Sequence, residues 1–252
     1  MLILGIVGSP RKRERTNALI GATLEGAAAA GAETRTLYLV DYAIRPHGTA
    51  GAGPACPREL SDLCNEADAL VIGAPVYWGD INGLTKDFID TVQLKDPSGK
   101  PAAGVAIAGG SGKGLLSGLQ NLYHFLYHRQ YRAIDPTPVS RFNLDTALAS
   151  LRATGSKLAA MAQHRTPFAG GAWNDRWADV LAHYAILPYL TQGPLDEFIL
   201  LAQQLIAISD GDSVVEARHH LDSALSLKAQ GQRSEAAHHA VQAYKLLFFE
   251  ES

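Results

Sequence analysis

Cysteine is scarce in this chain of 252 residues, which contains only Cys56 and Cys64. Their spacing of eight positions fits neither a CxxC redox pair nor the ligand spacing of a zinc knuckle. The spacing therefore excludes both motifs. We predict that both residues are free thiols.

An excess of positive charge is also lacking, because 22 Lys and Arg face 25 Asp and Glu, for a formal net charge of −3. No global positive field exists to hold nucleic acid or an anionic membrane surface. Long apolar runs are missing too. The run at Leu2–Val7 is too short for a signal-peptide core, and no stretch approaches the roughly 18 apolar residues of a membrane span. We expect a cytoplasmic protein without nucleic-acid or membrane partners.

What the chain does contain is a regular alternation of strand-like and helix-like segments in its first half. Continuous rather than alternating apolar runs are typical of buried parallel strands. We predict an α/β fold with a doubly wound, five-stranded parallel sheet in the order 2-1-3-4-5. The predicted strands are 2–7, 34–40, 69–74, 104–108 and, at a sheet edge because of Pro136 and Pro138, 133–139. The predicted helices are 16–30, 58–67, 84–92 and 115–129, with Thr16 and Asn17 as candidate caps of the first.

Strand character stops near Arg141, and glycine or proline then separates segments that have helical spacing. We divide the chain into a domain of residues 1–165 and an all-helical C-terminal extension of residues 166–252. Within the extension, the pattern Glu-Ala-x-His-His at 216–220 recurs at 235–239, which predicts an antiparallel helical hairpin. The four histidines lack a carboxylate pattern that would complete a metal shell, so we expect no metal site. Asp196 and Glu197 follow Pro194 and are expected to cap the helix that begins there.

Three loops carry the candidate functional residues. The first loop (residues 8–17) follows the first strand and opens the first helix, a position that favours a phosphate group. A solvated basic turn with an ordinary helix cap is the alternative. The second loop (residues 73–80) places two adjacent aromatic side chains after a buried strand. Neighbouring side chains of a strand diverge, so at least one should face a ligand or another subunit, although a core role for the other is as plausible.

The third loop (residues 108–114) is rich in glycine, which permits the close approach of a flat ligand, although flexibility alone could also explain it. All three loops follow strands of one parallel sheet. They should therefore meet at its carboxyl edge, where doubly wound sheets bind ligands.

The segments GSPRKRERTNAL, APVYWGDINGLTKDFID and AGGSGKGLLSGLQ together resemble the NAD(P)H-dependent FMN reductase family over about the first 140 residues. The resemblance implies a flavodoxin-like fold and bound FMN. It implies that the phosphate is held by Ser9, Arg11, Arg15, Thr16 and Asn17. It also implies that the flavin is lined by Pro75, Val76, Tyr77, Trp78, Gly79, Gly109, Gly110, Ser111 and Gly112.

The chain looks nearest to the iron-sulfur flavoprotein branch of this family, but it departs from that branch in one respect. Those proteins carry a compact cysteine cluster in the segment that corresponds to residues 44–63, where this chain has only Cys56. Two cysteines cannot supply the four thiolates of a cubane cluster. We therefore expect no iron-sulfur cluster.

These observations favour an FMN-dependent oxidoreductase that moves hydride between NAD(P)H and a small organic acceptor such as a quinone. The alternatives are a specialised dehydrogenase of a biosynthetic, chorismate-derived type of acid and a non-catalytic carrier or redox sensor. Lys113, His124 and Arg129 are candidate contacts for an acidic substrate, although helix-surface charge explains them almost as well. We further expect a homodimer or homotetramer. The extension from about Trp173 onward should contribute to a subunit interface or an active-site wall.

Overall fold

A parallel sheet with helices on both faces forms the first part of the protein. The computed structural model describes residues 1–51 and 53–248. Its strands are β1 (Leu2–Val7), β2 (Glu33–Tyr38), β3 (Ala69–Tyr77), β4 (Asp80–Ile81), β5 (Pro101–Ala108), β6 (Arg132–Ala133) and β7 (Val139–Ser140). Its helices are α1 (Arg15–Ala29), α2 (Arg58–Glu66), α3 (Gly83–Thr91), α4 (Leu115–His128), α5 (Leu144–Gln163), α6 (Trp177–Ala185), α7 (Pro194–Ile208), α8 (Asp212–Ala229) and α9 (Arg233–Leu247).

The strand order confirms the predicted flavodoxin-like topology. The sheet runs β2-β1-β3-β5-β6, and every pairing along this path is parallel. The predicted fifth strand is split, because β6 pairs with the start of β5 while β7 pairs with its end. Pro136 and Pro138 lie between the two pieces, where neither could donate a ladder hydrogen bond.

Two local features differ from the sequence-based expectation. Strand β3 extends to Tyr77, because its end folds back and pairs with the short antiparallel strand β4, which the sequence did not predict. The predicted caps of α1 were wrong. Glu14 is the N-cap residue, and Thr16 and Asn17 lie inside the first turn.

Helices α1 and α5 pack closely on one face of the sheet. A Cβ atom on Gly26 would lie 1.9 Å from the carbonyl oxygen of Arg152, and one on Gly155 would lie 1.8 Å from the carbonyl oxygen of Thr23. Only glycine allows the two backbones this distance, so the pair fixes how α1 lies on the sheet.

The C-terminal extension contributes to two cores. Val180 and Tyr184 of α6 are buried in the same apolar cluster as strands β1 and β3, so α6 belongs with the sheet. Helices α7, α8 and α9 form another cluster, which Leu115, Leu116 and Phe142 of the first part complete. Helices α8 and α9 pack on each other as the predicted hairpin. No helix in residues 1–51 and 53–248 has the length and apolar character to cross a membrane.

Candidate functional site

The three loops meet around a cavity of about 1380 Å³ at the carboxyl edge of the sheet. Every residue that the sequence assigned to the flavin lines this cavity, except Ser9 and Gly112. Lys113, assigned to a substrate, also lines the cavity, as do five residues with no assignment at all, namely Arg13, Glu14, Ala18, Ile107 and Gly114. Three of them lie in the first loop or directly after it, so the motif did not indicate which side chains of that segment line the cavity.

One end of the cavity is cationic and lies at the start of α1. Arg11, Arg13 and Arg15 line it. Glu14 caps no amide with its side chain, and the first turn of α1 holds no acidic residue. The first amides of a helix have no intrahelical partner and carry partial positive charge, so this end can receive an anion. Arg11 donates to Glu14 at 2.7 Å, and that hydrogen bond raises the pKa of Arg11.

Two residues that do not line the cavity hold the first loop by hydrogen bonds. Ser9 is buried, and its hydroxyl accepts a hydrogen bond from the amide of Arg11 at 3.1 Å, so it shapes the loop and does not line the cavity. Asn82 donates its side-chain amide to the carbonyl of Gly8 at 2.8 Å. Asn82 is 4% exposed, and no local sequence signal indicates this role because 74 positions separate the two residues.

The second loop is a two-residue hairpin turn between Tyr77 and Asp80. Its central residues, Trp78 and Gly79, both have positive φ, at 53° and 86°. Such angles are typical of the type I′ turn, in which Asn-Gly is the favoured pair and a bulky first residue is strained. The side chain of Trp78 is nonetheless fully exposed, at 105% of the reference area, and Tyr77 is 48% exposed. Neither ring packs inward, and both line the cavity.

The third loop gives the cavity an open backbone wall. A Cβ atom on Gly109 or Gly110 would meet nothing within 4 Å. Gly112 points the other way, because a Cβ there would lie 2.6 Å from Leu201 of α7 and 3.0 Å from Phe142. Gly112 was expected to line the flavin, but it faces α7 and does not line the cavity.

The two acidic residues at the start of α7 accept hydrogen bonds from the starts of two different helices. Asp196 accepts from the amide of Gly193 at 2.8 Å and caps α7 as expected. Glu197 was wrongly expected to cap the same helix. It instead accepts from the amides of Gly114 at 2.9 Å and Leu116 at 3.0 Å, at the start of α4.

Of the three residues assigned to an acidic substrate, only Lys113 lines the cavity. Its ammonium lies 5.8 Å from the ring centres of Phe198 and Tyr244. His124 is on the exposed surface of α4, and Arg129 is the C-cap residue of that helix. Because the start of α4 faces the cavity, about 20 Å of helix separates Arg129 from it.

The cysteines and histidines lie away from the cavity. Cys56 and Cys64 are buried, and burial raises the pKa of the Cys64 thiol to about 12. The Nδ1 atoms of His220 and His239 lie 2.9 Å apart between α8 and α9. The part of the chain that the structure describes contains no group of three His, Cys, Asp or Glu side chains arranged to hold a metal ion.

The chain is similar to known proteins in sequence and in fold. An iron-sulfur flavoprotein of Methanocaldococcus jannaschii is 26% identical over 188 residues, which cover 63% of this chain and 96% of that protein. Among solved structures, a flavone reductase matches with a TM-score of 0.52 at 19% identity, covering 66% of each chain. An NADH:FMN oxidoreductase in its apo form matches with a TM-score of 0.51 at 21% identity, covering 69% of this chain and 93% of its own.

The sequence pattern of the NADPH-dependent FMN reductases matches residues 1–139, which include all three loops around the cavity. This match covers more than half of the chain and agrees with the strand order and with the place of the cavity at the carboxyl edge. The chain is therefore an FMN-dependent oxidoreductase and belongs to the NADPH-dependent FMN reductase family.

Proposed function

We propose that this protein binds one FMN in the cavity and transfers hydride from NAD(P)H to a small organic acceptor such as a quinone. The observation that carries the proposal is the polarity of the cavity. Its cationic end lies at the start of α1, and its other end is built from Trp78, Tyr77 and the glycines of the third loop.

The residues at the cationic end fit a phosphomonoester. The amides of the first turn of α1 have no side-chain cap, and Thr16 lies among them at the cavity wall. Arg11, Arg13 and Arg15 can neutralise a dianion, with Arg11 already oriented by its contact with Glu14. No GxGxxG or P-loop motif opens α1, which favours a single terminal phosphate over a dinucleotide.

The residues at the other end fit a flat ring system. The open backbone at Gly109 and Gly110 lets a ring edge approach within hydrogen-bond distance of the amides. The exposed indole of Trp78 offers a stacking surface that no described residue of this chain covers. The amides of Gly79 and Asp80 are our candidates for contacts that orient the ring.

Bound FMN would supply hydride transfer at its N5 atom, the chemistry for which the protein itself has no group in the cavity. The protein would bind the phosphate, hold the ring between the second and third loops and exclude water with Tyr77 and Trp78. One cavity would serve the donor and the acceptor in turn, so we expect ping-pong kinetics.

We propose that no iron-sulfur cluster is present, in contrast to the name of the relatives in Methanocaldococcus jannaschii and other archaea. The two cysteines are fewer than the four thiolates that such a cluster needs. Burial raises the pKa of both Cys56 and Cys64, which disfavours the thiolate form that binds iron.

Lys113 favours a second candidate function, the oxidation or reduction of a small organic acid. Its side chain is exposed at the cavity wall, and no carboxylate of the described residues lies within ion-pair distance of it. An ammonium at the cavity wall without a carboxylate partner would attract a carboxylate-bearing substrate. Rapid flavin reduction by an organic acid, with weak reduction by NADH and NADPH, would identify this function.

The test is to purify the protein, identify the released flavin by mass spectrometry and mix the flavin-loaded protein anaerobically with NADH, NADPH or candidate acids. We expect one FMN per chain and bleaching of the flavin absorption by a reduced pyridine nucleotide, with recovery after addition of a quinone. Finding FAD, or no affinity for flavin, would overturn the cofactor assignment.

A further inference from the structure

The C-terminal extension contacts all six residues 111–116, which form the end of the third loop and the start of α4. Tyr244 of α9 donates its hydroxyl to the carbonyl of Ser111 at 2.8 Å. Leu201 packs where Gly112 has no side chain. The ammonium of Lys113 lies over the rings of Phe198 and Tyr244. Glu197 accepts from the amides of Gly114 and Leu116. Leu115 and Leu116 are buried in the apolar cluster of α7 to α9.

Glu197 makes the most directional of these contacts. Gly114 is the N-cap residue of α4, with φ of 88° and no side chain, so α4 cannot cap itself there. The carboxylate of Glu197 accepts from two of the four amides that lack an intrahelical partner, one with each oxygen, and places its negative charge at the positive end of the helix. A residue from α7 thus fixes where α4 begins.

The start of α4 in turn contacts the second loop. A Cβ atom on Gly114 would lie 2.6 Å from the Cα atom of Gly79, so the two backbones touch. Ser117, in the first turn of α4, donates its hydroxyl to the carbonyl of Gly79. A shift of α4 would therefore move both the third loop and the turn that carries Trp78.

We infer that Glu197 is a positioning residue for the flavin ring: it acts through Gly114 and Gly79 and sets the width of the gap between the second and third loops. The inference rests on the proposed function. It assigns to the extension, which lies outside the family match, a part in cofactor binding. Glu197 contacts neither the phosphate end of the cavity nor Arg11, so its effect should be confined to the ring.

The test compares FMN with riboflavin, which has the ring but no phosphate, on three variants of the full chain. Glu197→Gln keeps the shape but replaces one acceptor oxygen by a donor. Asp196→Asn is the matched control, because the neighbouring Asp196 caps α7 and pairs with Lys228 without touching α4. Arg11→Ala reports on the phosphate end. Dissociation constants are measured by flavin fluorescence well below the unfolding temperature of each variant.

We expect Glu197→Gln to weaken FMN and riboflavin by the same factor, about tenfold, as the loss of one charged hydrogen bond predicts. Asp196→Asn should change neither constant, even if its unfolding temperature falls. Arg11→Ala should weaken FMN and leave riboflavin unchanged. Equal loss in both acidic variants would reduce Glu197 to a stabilising residue and overturn the inference.

Tyr244→Phe provides a second route, should Glu197→Gln not fold. It keeps the buried ring and removes the donor to Ser111. We expect both flavins to weaken by about threefold, in line with a neutral hydrogen bond. Tight wild-type binding with no change in either variant would overturn the positioning role alone. Failure of the wild-type protein to bind either flavin would overturn the proposed function together with it.

Discussion

His220 and His239 face each other across the hairpin of α8 and α9, with their Nδ1 atoms 2.9 Å apart. A hydrogen bond between two Nδ1 atoms requires one nitrogen with a proton and one without, so the contact cannot survive when both rings are charged. Burial is the largest cause that lowers the pKa of His239, followed by the neighbouring histidines, of which His220 contributes most.

The pair predicts that the protein loses stability as the solution is acidified. With a folded-state pKa below the ordinary value of about 6.5, the unfolded chain binds more protons than the folded one just below neutrality. The stability that the neutral histidine pair contributes is therefore complete above pH 6.5 and falls as the pH drops through that value. His183, whose pKa is also lowered by burial, acts in the same direction. We expect a lower unfolding temperature at pH 5.5 than at pH 7.5.

His239→Gln should reduce this loss, because glutamine can accept or donate at any of these pH values. His47→Gln, at an exposed loop position outside the hairpin, is the control and should not reduce the loss. A wild-type unfolding temperature that is flat between pH 7.5 and 5.5 would show that the hairpin tolerates two charged rings.

The cationic end of the cavity predicts that Arg11→Ala and Thr16→Ala each weaken the binding of FMN, Thr16→Ala by about 1 to 3 kcal/mol, the range of hydrogen bonds to a charged group. Arg11→Ala also leaves Glu14 without its partner beside the anion, which adds to the loss. Titration calorimetry with FMN measures the change. Unchanged dissociation constants in both variants would mean that the phosphate lies elsewhere.

The turn at Trp78 predicts opposite effects on stability and binding. Trp78→Asn creates the Asn-Gly pair that a type I′ turn favours, and the lost indole buries no surface in the free protein. We expect the apoprotein to gain about 1 kcal/mol in its free energy of unfolding, the lower part of the range for relieved backbone strain. FMN and riboflavin should both bind more weakly. An apoprotein that is less stable than the wild type would contradict this account of the turn.

The contact of α7 with the third loop predicts a large cost for Leu201→Ala. Leu201 is fully buried and packs against the position of Gly112, so its truncation should lower the free energy of unfolding by about 2 to 5 kcal/mol. Leu225→Ala is the control, because Leu225 is 40% exposed. It should lower the free energy of unfolding by less than about 1 kcal/mol, since substitutions at exposed positions usually have small effects. Chemical denaturation measures both.

Truncation before Trp173 would remove all contacts between the extension and the first part of the chain from that residue onward. It would expose Leu115, Leu116 and Phe142, which the extension covers. We expect an aggregating fragment without bound flavin. A soluble, FMN-replete fragment with unaltered oligomeric state and substrate range would make the extension an independent module.

Local sequence signals predicted the sheet and most of the cavity, because buried strands have continuous apolar runs and the three loops follow directly from them. The signals failed where a distant segment decides the outcome. The role of Glu197 depends on a helix start 81 positions away, and that of Asn82 on a carbonyl 74 positions away. Gly112 looked like its neighbours in sequence, and only packing against Leu201 turns it from the cavity.

The bond from Tyr244 to Ser111 joins residues that are 133 positions apart, which has a consequence for the order of events during synthesis. A ribosome that adds about 5 to 20 residues per second needs roughly 7 to 27 s to travel that distance. Throughout this interval the sheet can form while the third loop still lacks its support from α7 and α9. We expect a nascent chain to fold before it can take up its flavin, so maturation should be limited by the emergence of α9.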